Sequence, residues 1–193
     1  MRIITGKYKG RHFDVPRSFK ARPTTDFAKE NIFNVIRAYV DFETTRALDL
    51  FSGTGSITLE LISRGCTEVV SVERDREHFS FITACLKKLN DKAAQPLCAD
   101  ALRYINRSRA RFDLVFADPP YALPELPELP ARVFAGEVLA PGGILVLEHG
   151  KANDFSSHPY FLEHRAYGSV NFSIFRRPEE ETAKKAEETE QGE

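Results

Sequence analysis

The residues best suited to chemistry in this sequence are Asp118-Pro119-Pro120-Tyr121, which follow directly on the apolar run Phe112-Asp113-Leu114-Val115-Phe116-Ala117. Two consecutive prolines remove two backbone donors and fix two φ angles, so the segment leaving that run is rigid and extended. Within it the Asp118 carboxylate and the Pro119 carbonyl could together accept both hydrogens of one exocyclic amino group. The Tyr121 ring offers a platform on which a base could stack. Pro120 contributes stiffness. A proline-rich surface turn is the plain alternative, disfavoured by the strand-like run that leads into it.

A second group of residues suits a nucleoside-bearing ligand. In Asp49-Leu50-Phe51-Ser52-Gly53-Thr54-Gly55-Ser56 the two glycines allow a tight turn and a close backbone approach where an apolar run passes into a helical pattern. Thr58 occupies the third glycine position of the dinucleotide fingerprint G-x-G-x-x-G, which disfavours a dehydrogenase. Glu73 ends the next apolar run, 20 residues after Gly53, the separation at which an acid can accept both hydroxyls of a ribose. A capping or solvated glutamate is its plain reading. Asp100, after the run ending at Cys98, could take the amino group of an adenine, with the Ala101 N–H beside it, or could simply cap a helix. Taken in order along the chain, the candidate ligand contacts are Asp49, Phe51, Ser52, Gly53, Thr54, Gly55, Glu73, Arg74, Asp100 and Ala101.

The elements that must position these groups alternate. Apolar runs at 46–51, 68–73, 95–98, 112–117, 143–148, 160–166 and 170–176 interleave with helical patterns at 55–64, 75–89, 100–108 and 125–139. That order predicts an α/β domain with a parallel sheet covered on both faces. Only Tyr167-Gly168-Ser169 separates the last two runs, which permits an antiparallel pair and forbids a parallel crossover. A mostly parallel, seven-stranded, Rossmann-like sheet with an antiparallel last strand resembles the class I methyltransferase fold. Ahead of it, Arg2–Thr5 and His12–Val15 flank the turn Gly6-Lys7-Tyr8-Lys9-Gly10 and read as a hairpin. A helix capped by Thr24 or Thr25 should follow, with Phe27, Ile32, Phe33, Val35, Ile36, Tyr39 and Val40 largely on one face.

Charge is segregated along the chain. Residues 1–22 hold Arg2, Lys7, Lys9, Arg11, Arg17, Lys20 and Arg22 against Asp14, a net of +6, whereas residues 178–193 hold seven glutamates against two lysines, a net of −5. The basic end suits a phosphate backbone, with an ordinary solvated surface as the alternative. The acidic end lacks the apolar residues needed to offset ordering and is expected to be a disordered tail. The chain is expected to divide into an N-terminal hairpin-and-helix extension at 1–40, suited to binding a nucleic acid such as RNA, an α/β domain at 41–177 that would carry the chemistry, and the tail at 178–193. Cys66, Cys85 and Cys98 form no close pair and read as reduced core residues; no metal site is expected. No apolar stretch approaches a membrane span and no secretory signal is evident, so a cytoplasmic location is expected.

Asp49–Gly55 is similar to the cofactor motif of class I methyltransferases, and Asp118–Tyr121 to the catalytic motif of amino-methyltransferases acting on nucleobases. More narrowly, Arg2-Ile3-Ile4-Thr5-Gly6-Lys7-Tyr8-Lys9-Gly10-Arg11 with Arg22-Pro23-Thr24-Thr25-Asp26 resembles the opening of the bacterial 16S ribosomal RNA (guanine-N2)-methyltransferase family. The resemblance runs from residue 1 to about residue 176. It implies S-adenosylmethionine as cofactor, the 2-amino group of a guanine in small-subunit rRNA as target, and free RNA or an assembly particle as partner of a monomeric enzyme. Glu148-His149 departs from the family pattern and receives no role on that basis. Two readings compete: an adenine-N6 methyltransferase acting on DNA or RNA, and a non-catalytic nucleic-acid-binding protein on the same fold. A DNA enzyme usually carries a sizeable target-recognition region, for which the chain has no room. The intact Asp118, Glu73 and loop glycines argue against the non-catalytic alternative.

Overall fold

Seven short runs of branched and aromatic residues form one sheet in the computed structural model, which describes residues 1–19 and 25–179. The strands are β1 (Arg46–Leu50), β2 (Glu68–Glu73), β3 (Ala94–Cys98), β4 (Phe112–Ala117), β5 (Leu139–His149), β6 (Phe161–Tyr167) and β7 (Val170–Arg176), in the order β3-β2-β1-β4-β5-β7-β6. β7 alone runs antiparallel, inserted between β5 and β6 as the short turn after Tyr167 requires. The expected mostly parallel sheet is therefore present. The order in which strands are added reverses between β1 and β4, which lie side by side and parallel, so the crevice at their carboxyl ends is where a ligand is expected in such a sheet.

Among the described residues five α-helices cover the two faces: α1 (Asp26–Ile36), α2 (Ser56–Ser63), α3 (Arg76–Leu89), α4 (Ala101–Arg107) and α5 (Leu129–Ala135). Strand side chains alternate, so Leu48 and Leu50 enter the core under α4 and α5 while Ala47 and Asp49 face α2. On the α1 side Phe116 stacks on Phe33 with centroids 6.4 Å apart and meets Phe172 edge-on at 6.1 Å. Truncating such a fully buried ring costs about 3–5 kcal/mol. Thr25 caps α1 by accepting the Ala28 N–H. α5 is shorter than its sequence pattern suggests, because Pro127 and Pro130 confine its start to a 3-10 turn and Gly136 ends it. β5 begins earlier than expected; its pairing with β4 shifts register between Phe112 and Leu114, absorbing Pro141-Gly142-Gly143 as an irregularity.

Three expectations are modified. The N-terminal hairpin is present but short: Ile3 N–H donates to the Arg11 carbonyl at 3.0 Å, Gly10 N–H to that of Ile3 at 2.9 Å and Phe13 N–H to that of Met1 at 2.9 Å around the bridge of Arg2 with His12, and beyond it α2 takes the amides that a longer ladder would use. Glu60, fully buried, accepts the N–H groups of Ile4 at 2.8 Å and Thr5 at 3.0 Å, and Ser63 receives those of Lys7 and Tyr8. Cys98 is exposed, since β3 is an edge strand, whereas Cys66 and Cys85 are buried. Phe27 is 66% exposed, off the buried face of α1, and meets Tyr167 edge-on. Among the described residues no helix is long and apolar enough to cross a membrane. Lys20, Arg22, the alternative cap Thr24 and residues 180–193 lie outside the described residues.

Candidate active site

The carboxyl ends of β1, β2, β3 and β4 bring the proposed groups together along one edge. Register fixes this: Leu50 pairs with Val72 on one side and Ala117 on the other, and Glu73 pairs with Cys98. The segment carrying the two prolines is tied to the glycine loop at once, because Asp118 donates its backbone N–H to the Leu50 carbonyl at 3.3 Å.

The loop itself bends through positive φ at Phe51 (61°), Gly53 (53°) and Gly55 (78°). A Cβ at Gly55 would stand 2.9 Å from Ile82 Cγ1 of α3, so only glycine lets the loop close on that helix. At Gly53 the nearest neighbour of such a Cβ is the Phe51 carbonyl at 3.9 Å, which leaves that side of the loop approachable. Beneath the loop Ser52 Oγ donates to the Asp49 carbonyl at 2.8 Å and Ser71 donates to Ser52 Oγ at 2.9 Å. Asp49 also lies beneath it, 1% exposed, and its carboxylate accepts the Thr58 hydroxyl at 2.5 Å. Burial pushes the Asp49 carboxyl up to about 7, against the opposing pull of its hydrogen bonds from Thr58. Thr58 thus serves as the anchor between loop and strand, a role its failure to match the glycine fingerprint did not reveal.

Glu73 is buried at the end of β2 and grips both flanks of the site: one oxygen accepts the Gly53 N–H at 2.8 Å, the other the Asp75 N–H at 2.7 Å. Each carboxylate oxygen can accept a further bond. Arg74, next in the chain, is exposed. Asp100 caps α4 by accepting the Arg103 N–H at 3.0 Å, with Ala101 at the helix start. The capping alternative is therefore realised, and it leaves the carboxylate with acceptor capacity at the strand edge. Asp118 is half-buried and Pro119 buried, whereas Tyr121 is 48% exposed and donates its hydroxyl to Glu148 Oε1 at 2.9 Å. Glu148, 5% exposed near the end of β5, was passed over in the sequence. The signal available was its place as one more acid closing a strand, in line with Glu73 and Asp118.

Of the basic N-terminal side chains, Arg2 pairs with Asp26 at 3.0 Å and Lys7 with Asp91 at 2.8 Å. The hydrogen bond to Asp91 raises the Lys7 ammonium above its ordinary value. Lys9, Arg11 and Arg17 are exposed. Among the described residues no group of three His, Cys, Asp or Glu side chains is placed to hold a metal ion.

Comparison with known proteins gives concordant matches. The family described as conserved hypothetical protein 95 matches residues 1–176. YlbH of Bacillus subtilis, provisionally named an rRNA methyltransferase, is 37% identical over 155 residues, 78% of this chain and 83% of the relative. Ribosomal RNA small subunit methyltransferase D of Escherichia coli is 27% identical, covering 92% of this chain and 90% of its own length. A solved Escherichia coli structure, yhhF, provisionally named a methyltransferase, superposes with a TM-score of 0.82 at 26% identity over 92% of this chain and 98% of that one.

Proposed function

This chain belongs to the conserved hypothetical protein 95 family, and from that premise we propose that it methylates the exocyclic 2-amino group of a guanine in small-subunit (16S) ribosomal RNA. It is a class I methyltransferase that uses S-adenosylmethionine, with relatives named for ribosomal RNA. The observation that supports transfer to an amino group is the hydrogen bond from Asp118 N–H to the Leu50 carbonyl, which sets the Asp118–Tyr121 segment against the glycine loop, while the small-subunit target is supported by the names of the relatives.

The residues present fit the cofactor. Gly53 leaves one side of the loop approachable, Glu73 retains lone pairs suited to ribose hydroxyls, and Asp100 with the Ala101 N–H suits an adenine edge. Phe51, Ser52, Thr54 and Gly55 complete the loop, Arg74 flanks it, and Asp49 acts from beneath by holding it to α2 through Thr58. When bound, S-adenosylmethionine supplies an electrophilic methyl group on a sulfonium centre.

The chain's own residues then prepare the amine. An amino group conjugated to a purine is a poor nucleophile because its lone pair is delocalised. Asp118 and the Pro119 carbonyl accept its two hydrogens, which favours a pyramidal nitrogen and frees the lone pair. Pro120 keeps the two acceptors in fixed relation, and the Tyr121 ring holds the base by stacking. The enzyme needs no covalent intermediate. In this reading residues 1–40 form the RNA-binding extension of a catalytic domain at 41–177. Lys9, Arg11 and Arg17, with Arg2 and Lys7 exchanging their carboxylate partners, hold phosphates, as do Lys20 and Arg22. The enzyme works in the cytoplasm as a monomer on free RNA or on an assembly particle.

The test is transfer of labelled methyl from S-adenosylmethionine to free 16S rRNA and to small-subunit particles, followed by nucleoside analysis. N2-methylguanosine is the expected product. N6-methyladenosine would replace the guanine reading, and no transfer to either substrate would favour the non-catalytic one.

A further inference from the structure

We propose that Glu148-His149-Gly150, at the end of β5, is a shelf that fixes the Tyr121 ring, and that Glu148 is a positioning residue for methyl transfer. The inference rests on the reading of Tyr121 as the ring that stacks on the target base. A ring on a loop can stack productively only if its tilt is set, and the two prolines stiffen the backbone without themselves fixing the tyrosine side-chain torsions.

Two contacts, one from β5 and one from the residue that follows it, do so. Glu148 accepts the phenol hydroxyl at 2.9 Å, fixing the far end of the ring. Gly150 lies against its side: a Cβ there would stand 3.3 Å from Tyr121 Cδ2, 3.7 Å from Cε2 and 3.8 Å from Cγ. Glycine thus lets the backbone close on the ring without displacing it. The residue between them locks the shelf. His149 is 1% exposed, with Nδ1 2.9 Å from the Gly150 carbonyl and Nε2 2.9 Å from Ser173 Oγ on β7. A carbonyl only accepts, so Nδ1 carries the proton and Nε2 accepts the serine hydroxyl. Burial lowers the imidazole below its ordinary value and favours this neutral form. Phe155, edge-on at 5.0 Å, and His164, at 5.9 Å, pack the same ring. The antiparallel strand β7 is thereby connected to the base platform through Ser173, His149 and Gly150.

The experiment measures single-turnover methyl transfer to the RNA substrate, with S-adenosylmethionine affinity by calorimetry, for Tyr121→Ala, Tyr121→Phe, Glu148→Ala, Glu148→Gln, Gly150→Ala and the double variant Tyr121→Phe/Glu148→Ala. Losing a hydrogen bond to a carboxylate should slow Tyr121→Phe and Glu148→Ala each by roughly tenfold. The double variant should be no slower than either. Glu148→Gln keeps both the acceptor and the volume and should recover most of the rate, whereas Tyr121→Phe removes only the hydroxyl and so reads the hydrogen bond apart from packing. Gly150→Ala should slow transfer by displacing the ring, while cofactor affinity stays unchanged throughout. If the double variant loses the product of the single losses, or Glu148→Ala transfers at the wild-type rate while Tyr121→Ala does not, the shelf is wrong. Wild-type transfer by Tyr121→Ala would instead overturn the stacking role of Tyr121 on which the shelf depends.

Discussion

Asp49→Asn should stabilise the protein above neutral pH and remove a pH dependence that the wild type carries. Asp49 is enclosed between β1 and α2, 1% exposed, and its carboxyl is pushed from 3.8 to about 7. A carboxyl whose folded value lies above its unfolded value binds its proton more tightly in the native state. The stability this adds is fully present below about pH 4 and is lost as pH rises through about 7. At about 1.4 kcal/mol per pH unit the span amounts to about 4 kcal/mol, a large fraction of the stability of a domain this size. Asparagine stays uncharged, and its amide oxygen can still accept the Thr58 hydroxyl. Whatever the amide costs in packing is constant with pH, so the quantity to follow is the difference between the two proteins. Urea unfolding of both, without cofactor, from roughly pH 5 to pH 8.5 gives that difference directly. It should drift by several kcal/mol in favour of Asn as pH rises. A difference that stays flat across that range would refute the reasoning, because it would mean that Asp49 ionises in the folded chain as readily as in the unfolded one.

Four further outcomes are expected. Asp118→Ala should lower methyl transfer by about 10²-fold or more with cofactor affinity unchanged, while Asp118→Asn keeps one acceptor and retains partial activity; equal loss in both would assign proton abstraction to the carboxylate. Glu73→Ala should weaken S-adenosylmethionine binding by about 1.5–3 kcal/mol, and calorimetry showing wild-type affinity would remove Glu73 from the site. Neutralising Lys9, Arg11 and Arg17 together should weaken RNA binding and flatten its dependence on salt by about 0.7–0.9 in slope per lost phosphate contact, with an unchanged slope marking these side chains as mere surface. Glu60→Ala should cost about 3–5 kcal/mol in unfolding experiments, since it leaves the buried Lys29 and Arg64 side chains without their carboxylate; a cost under about 1 kcal/mol would show that the network is not a stability element.

Strand positions were legible because period-two and continuous apolar runs follow directly from burial on one or both sheet faces, and the placement of Gly53, Gly55, Glu73, Asp100 and Asp118 along one sheet edge was legible because each follows or ends such a run. The parts that were not depend on tertiary placement, which local residue patterns do not carry. Thr58 reads as a missing glycine until Asp49 is placed under it. Glu148 has no evident role until Tyr121, 27 residues earlier, is found donating to it. The first residues show the pattern of a hairpin, yet Glu60, more than 50 residues away, claims the amides of Ile4 and Thr5. Cys98 has the composition of a core residue and the position of an edge.

The strap formed by Glu60 has a consequence for the kinetics of RNA encounter. Lys29 of α1, 1% exposed, donates to the Arg2 carbonyl at 2.7 Å and to Ser56 Oγ at 3.0 Å, so the first residues are held to both α1 and the start of α2. A tethered basic arm would search a large volume and then lose about 1–2 kcal/mol of backbone entropy for each residue it ordered on RNA. Here that freedom is already gone in the unbound protein, and Lys9 and Arg11 stand on a backbone bolted to the same helix whose N-terminus follows the cofactor loop. Association should therefore resemble the docking of a rigid charged face, fast at low salt and limited by orientation, rather than a slow folding of arm onto substrate.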